Sequence, residues 1–234
     1  MATGKKAFER IAYVTGILLS TVERAGRSMK EDRSDLWPLN EKRGGGRDAV
    51  HVCCHHLVSL VLGLAGLMIY YPASVSDVPK IVKSYRAMVL TASDDADGDA
   101  EFAEALEAVA GLTFGQALDT LVDRTARRNG PTPPSATFQV IIGRDPLLLH
   151  KAEIFFGGSS ERLGLYRDAQ EHADIGQRAK IPVDATPAHF VPRTTIPFAL
   201  FDVLADLWRD TLVSQQPQDE ENAETLPGAS APTP

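Results

Sequence analysis

The chain has 234 residues, 44% of them hydrophobic and 24% charged, enough apolar material for a buried core and length for one or two domains. Its formal charge of −7, from 24 basic and 31 acidic side chains, excludes a surface coated in basic charge for indiscriminate adhesion to nucleic acid. The balance is uneven, however: residues 1–56 hold 10 basic and 7 acidic side chains, a net +3, and the remainder carries −10.

The cysteines, Cys53 and Cys54, are adjacent, a spacing that disfavours a disulfide between them. Together with the lack of a basic-then-apolar leader, this predicts a reducing, cytoplasmic setting. The longest apolar run, Leu57 to Tyr71, has 15 residues. A spanning helix needs about 20, so the run predicts a buried helix and no membrane association.

In chain order, the informative segment is Ala7 to Lys30. A helix from Ala7 to Val14 places Ala7 and Ile11 on one face, and Ala12 is small enough for a second helix to cross closely. Gly16 supplies the freedom of a tight interhelical turn. Ile17 fills the corner, and Ser20 is placed to cap the second helix by accepting from a free backbone N–H. Val22, Ala25 and Met29 turn inward, leaving Thr21, Glu23, Arg24, Arg27, Ser28 and Lys30 on or near the outer face. The run Ile11-Ala12-x-x-Thr15-Gly16-Ile17-x-x-Ser20-Thr21-Val22 resembles a helix-turn-helix, whose second helix enters the DNA major groove. The plainer reading is an αα-hairpin that never meets DNA.

After Leu36-Trp37-Pro38 come Glu41-Lys42-Arg43-Gly44-Gly45-Gly46-Arg47-Asp48 and the β-like run Ala49 to Val52. A glycine tip between arginines predicts a β-hairpin wing whose charges reach phosphates or the minor groove. A nucleotide-binding loop is disfavoured, because no hydrophobic strand precedes the glycines and no Lys-Ser/Thr pair follows them. The apolar helix from about His55 to Tyr70 is placed to cover the helical pair. This order of parts, over some 60–70 residues, resembles the MerR-like winged-helix domains, although no long coiled coil follows it. The Thr15-Gly16 turn, Arg24 and Arg27, Trp37-Pro38, Arg43 to Arg47 and His51 also resemble hypothetical proteins of bacterial prophages. That resemblance implies a DNA-binding regulator of phage or mobile-element type.

Residues 73–130 read as helical: Val78 to Leu90, Phe102 to Val109, and a segment from Thr113 with Phe114, Leu118, Leu121 and Val122 at helical spacing. Ser93 to Asp99 reads as a solvated acidic loop that lacks the spacing of a calcium site. Asn129 to Pro134 marks a boundary. Beyond it, Thr137 to Ile142 and Leu147 to Phe156 predict a hairpin, His189 to Ile196 a further strand, and a final helix with Thr195 near its N-cap and Pro197 in its first turn. Phe198, Phe201, Leu204, Leu207 and Trp208 form its buried stripe. Residues 215–234, with four acids, no bases and four prolines, predict a disordered tail.

Other constellations carry less. His51, Cys53, Cys54, His55 and His56 lack the paired spacing of a zinc site, so Cys54 and His55 read as packing and capping residues. No Gly-x-Ser-x-Gly elbow accompanies His150 or His172. Asp202 and Asp206 share a helix face, more simply a solvated face than an acid–base pair.

The expectation is therefore an α+β protein. It comprises a winged helix-turn-helix over residues 1–72, a helical linker or dimerisation region over 73–130, and a small α+β domain of open role over 131–214. Its expected partner is double-stranded DNA. Thr21, Arg24, Arg27 and Lys30 are expected at the major groove with Ser20 beside them, and Lys42, Arg43, Arg47 and His51 at the backbone or minor groove. A homodimer is expected, and the acidic second half is available for an effector or a polymerase. No cofactor and no catalysis are implied. A protein-interaction module, such as a phage-encoded inhibitor or assembly factor, is the alternative.

Overall fold

Residues 3–38, 52–69, 73–94, 100–128, 137–144, 150–157, 161–169 and 193–224 are described in a computed structural model, with side chains to residue 213 in the last segment. These residues form seven α-helices and a five-stranded antiparallel sheet, a mixed α+β architecture. The boundaries expected near residues 72 and 130 fall outside the described residues.

Helix α1 (Gly4–Thr15) opens at Thr3, whose side chain accepts from the Lys6 amide at 3.3 Å, and closes at Gly16. Helix α2 (Leu19–Glu31) returns alongside it. Helix α3 (Cys54–Ile69) is buried over almost its whole length, and this accounts for its uniformly apolar sequence. It packs against α2, against α4 (Val78–Arg86), against α6 (Phe114–Arg127), and against the final helix α7 (Phe198–Glu224).

The α3–α4 contact depends on small residues. A side-chain carbon at Gly66 would stand 2.3 Å from Ile81 Cγ2, and one at Gly63 would stand 2.6 Å from Val78 Cγ1. Ile81 and Val78 are themselves buried, so neither can swing aside cheaply. Gly66→Val is expected to destabilise the fold by about 1–3 kcal/mol, the usual cost of overpacking, read as a lower urea midpoint with an unchanged slope.

The start of α3 corrects one expectation. Cys54 is a packing residue as expected: it is buried and its thiol donates to the Asp119 carbonyl at 3.3 Å. The cap, however, is His56 rather than His55. The Cys53 amide donates to His56 Nδ1 at 3.1 Å, the role a glutamate or glutamine side chain plays in a capping box. Burial first, then the neighbouring His55, pulls His56 from 6.5 down to about 4, so the ring stays neutral and able to accept. The unfolded chain then binds one more proton than the folded one between those two values, and stability falls as pH drops from about 6.5 to 4. His56→Gln keeps an acceptor without a titrating group, and thermal melts of the variant are expected to show a shallower loss across that window.

Strand β1 (Val89–Ala92) follows α4 directly and pairs with β4 (Arg162–Arg167). The helix expected to run to Leu90 therefore stops at Arg86, because Val89 and Leu90 complete the sheet edge. Helices α5 (Ala100–Val109) and α6 form as their periodicity predicts, and Thr113 with Gln116 makes a reciprocal capping box at the start of α6. Strands β2 (Phe138–Arg144) and β3 (His150–Phe156) are antiparallel, with Phe138 opposite Phe156 and Val140 opposite Ile154. Strand β5 (Arg193–Ile196) pairs with β2 and gives the order β1-β4-β3-β2-β5. Phe138, Val140, Ile142, Ala152, Ile154 and Phe156 are buried, whereas Phe155, which the sequence also places in the core with Phe138 and Phe156, is half-buried because it lies on the other face of β3.

Helix α7 opens two residues later than expected. Thr195 belongs to β5, opposite Ile141, and Pro197 precedes the helix and accepts from the Leu200 amide at 3.1 Å. Phe201, Leu204 and Leu207 are buried, while Phe198 and Trp208, expected on the same buried stripe, are half-buried, and Trp208 donates to Asp123 at 2.7 Å. Arg209 donates to the Ala126 and Thr125 carbonyls at 2.8 and 3.1 Å, satisfying the C-terminus of α6. Asp206 is taken up by Arg209 at 2.6 Å. The backbone stays helical through Glu224, so residues 215–224 form helix where composition alone predicts disorder. An anchored helix extends at the cost of one residue per added bond, which composition does not register.

Among the described residues, no helix is long and apolar enough to cross a membrane. No group of three or more candidate metal ligands occurs among them either.

Candidate nucleic-acid interface

The pair α1–α2 is closed by its sequence. Thr15 Oγ1 donates to the Ile11 carbonyl at 2.7 Å and accepts from the Ile17 amide at 3.3 Å, which bends the chain out of α1. Gly16 then takes the left-handed conformation at φ 69°, which a side chain would strain. Ile17 packs against the core as expected.

Helix α2 begins at Leu19. Its N-cap position is Leu18, without a side-chain cap, and the Thr21 and Val22 amides turn back onto the Leu18 carbonyl at 2.8 and 3.2 Å. The expected Ser20 cap is thus corrected: Ser20 is the second residue of the helix, where it is exposed. The inward residues stand as their spacing predicts, with Val22, Ala25 and Met29 fully buried. Gly26 joins them because α1 crosses close by. A side-chain carbon there would lie 2.4 Å from the Phe8 ring, which is itself stacked on Trp37 with centroids 4.9 Å apart.

The opposite face of α2 carries Ser20, Glu23, Arg24 and Arg27, all exposed, flanked by half-buried Thr21 and Lys30. Arg24 and Arg27 form no ion pair among the described residues. Several arginines elsewhere are paired: Arg86 to Asp119, Arg124 to Glu104 at 2.8 Å, Arg162 to Asp94 at 3.3 Å and Arg209 to Asp206 at 2.6 Å. A groove of about 520 Å³ runs between α1 and α2, lined by Thr3, Lys5, Phe8, Glu23, Arg27 and Lys30 among others. Of the residues expected at the interface, the structure therefore brings Ser20, Thr21, Arg24, Arg27 and Lys30 onto one helix. Lys42, Arg43, Arg47 and His51 lie outside the described residues.

Two supports hold the α1–α2 pair in place. Lys83 of α4 binds Asp32 at the end of α2 at 2.6 Å, and hydrogen bonds from Lys83 first and Ser34 second hold the Asp32 carboxyl below its usual range. Lys6 of α1 binds Asp210 of α7 at 2.6 Å, so the cover over the helical pair comes from the far end of the chain as well as from α3.

Sequence reasoning missed three exposed apolar side chains here: Tyr13, Leu18 and Leu19, at 83%, 74% and 38% exposure. Their signal was available. The buried face of α2 is defined by Val22, Ala25 and Met29, and Leu18 precedes the helix altogether, so it has no place on that face.

Comparison with family models, curated proteins and solved structures finds no match for this chain.

Proposed function

We propose that this chain binds double-stranded DNA in a sequence-specific way, as a transcriptional regulator of phage or mobile-element type, through a winged helix-turn-helix formed by α1, α2 and the arginine- and glycine-rich segment Glu41 to Asp48. The observation that carries this reading is the contrast along α2: one face fully buried, the other presenting Arg24 and Arg27 without acidic partners among the described residues. An arginine one turn from another on an exposed helix matches the spacing of guanine edges and phosphates in a major groove. Ser20, Thr21 and Lys30 flank that contact, and Lys42, Arg43, Arg47 and His51 supply the wing's phosphate contacts. The body, with its excess of acids, repels the duplex and confines contact to the α1–α2 end. A single small reading head gains affinity by pairing, so the working form is a homodimer on two half-sites.

The test is a titration of the purified full chain against promoter fragments and random duplexes at two salt concentrations. Enrichment of particular fragments supports the proposal, and equal binding to random DNA overturns it. The exposed Tyr13, Leu18 and Met68 favour a second reading, a protein-interaction module acting through apolar contacts. On that reading, charge reversal at Arg24 and Arg27 leaves function intact.

A further inference from the structure

Leu18 and Leu19 stand at the entrance of α2, 74% and 38% exposed, just before its cationic face. Leu18 leaves most of its side chain in water and Leu19 more than a third, while the three inward residues of the same helix are fully buried. The surroundings favour a polyanion over an apolar protein surface: the exposed residues that follow within the helix are Ser20, Glu23, Arg24, Arg27 and Glu31, and with half-buried Lys30 they make three cations to two acids. Duplex DNA offers both chemistries in one groove, because thymine presents its C5-methyl group beside the N7 and O6 acceptors of guanine.

We infer that Leu18 and Leu19 read thymine C5-methyl groups, and so make the bound sequence thymine-dependent beside the base read by Arg24. This rests on the DNA reading proposed above and deepens it. Leu19 precedes Arg24 by five residues, about 7.5 Å along a helix axis, roughly two base steps of about 3.4 Å each. The required thymine accordingly lies about two base pairs from the guanine that Arg24 contacts.

The experiment begins by enriching a bound duplex from a random library with the full chain. Each thymine of that duplex is then replaced singly by deoxyuridine, which removes only the methyl group. Kd is measured for the wild type and for a Leu18→Ala, Leu19→Ala variant. One or two positions per half-site are expected at which uracil weakens wild-type binding about fourfold, the effect of removing one buried methyl group. At those positions the variant is expected to bind thymine and uracil duplexes alike, with an unchanged salt slope. An enriched duplex without a uracil-sensitive thymine overturns the inference and leaves DNA binding standing, and it needs no variant. So does a uracil penalty that persists in the variant. Loss of self-association in the variant with the uracil penalty retained assigns the leucines to an interface between copies of this chain, and likewise overturns it. Failure to enrich any duplex overturns the DNA reading itself.

Discussion

Asp119→Ala is expected to destabilise the protein by about 3 kcal/mol, or roughly 9 °C in Tm, the largest single effect among the sites described. Asp119 lies on α6 and receives both ends of the Arg86 guanidinium from α4, with Arg86 only 11% exposed and Asp119 23%. Arg86 also donates to Ser59 at 3.4 Å and to His55 Nδ1 at 2.7 Å. His55 Nδ1 also lies 3.3 Å from Asp119 Oδ2, so the ring joins the same cluster. Removing the carboxylate leaves the Arg86 charge among α3, α4 and α6 without its ion-pair partner, and breaking such a pair costs more than forming it contributes. The cause is separable from packing. Arg86→Met with Asp119→Leu removes both charges, and the double variant is expected within about 1 kcal/mol of wild type by urea unfolding. A double variant as weak as Asp119→Ala would show that the pair itself, and not the orphaned cation, carries the stability.

The second large effect is on recognition. Arg24→Ala or Arg27→Ala is expected to cost about 1–3 kcal/mol of discrimination, roughly 5- to 150-fold between the enriched duplex and one altered at the contacted base pair. Both side chains are exposed, so Tm is expected to stay within about 1 °C of wild type. Replacing Arg43 or Arg47 is expected to act differently, weakening all duplexes alike and flattening the dependence of log K on log salt by nearly one unit for each phosphate no longer neutralised. Fluorescence anisotropy with matched and mismatched duplexes at two salt concentrations separates the two patterns. Equal losses of affinity for both duplexes at Arg24 and Arg27 would assign these arginines to phosphates.

Much of the local structure follows from residue order alone. The α1–α2 pair is written in the alternation of Ala7 and Ile11 with Val22, Ala25 and Met29 around a single left-handed glycine, Gly16. Helix α6 is equally legible, since Thr113 and Gln116 cap it and Phe114, Leu118, Leu121 and Val122 repeat at helical spacing. The β2–β3 hairpin is visible in its β-branched and aromatic runs.

Strands β1 and β4 were not legible for a physical reason. Val89 to Ala92 is only four residues long and continues the apolar content of α4, so periodicity alone extends the helix. In β4, Gly164 interrupts the β-prone pattern. It is required because a side-chain carbon there would lie 2.6 Å from the Tyr166 ring and 3.0 Å from Leu90 of β1. The requirement comes from the packing of Tyr166 and of Leu90 on the neighbouring strand, which β-propensity does not register. The cap by His56 is similar: residue order points to His55 at the helix start, and only the backbone geometry at Cys53 brings His56 Nδ1 to its amide.

The candidate interface divides in the same way. Which residues share the outer face of α2 is a matter of about 100° of rotation per residue, so residue order is enough to set Arg24 and Arg27 outside and Val22, Ala25 and Met29 inside. The basic head and acidic body are equally plain in the chain, because charge is additive along it. Which cations remain available is a question of packing, since an arginine becomes a structural element when a carboxylate from another helix meets it, as Asp119 meets Arg86. Packing likewise leaves Leu18 and Leu19 facing solvent and braces α1 against α7 through Lys6 and Asp210. Periodicity reports the inside and outside of one helix. Exposure and pairing depend on what packs against it, and here those partners come from as far along the chain as Asp210.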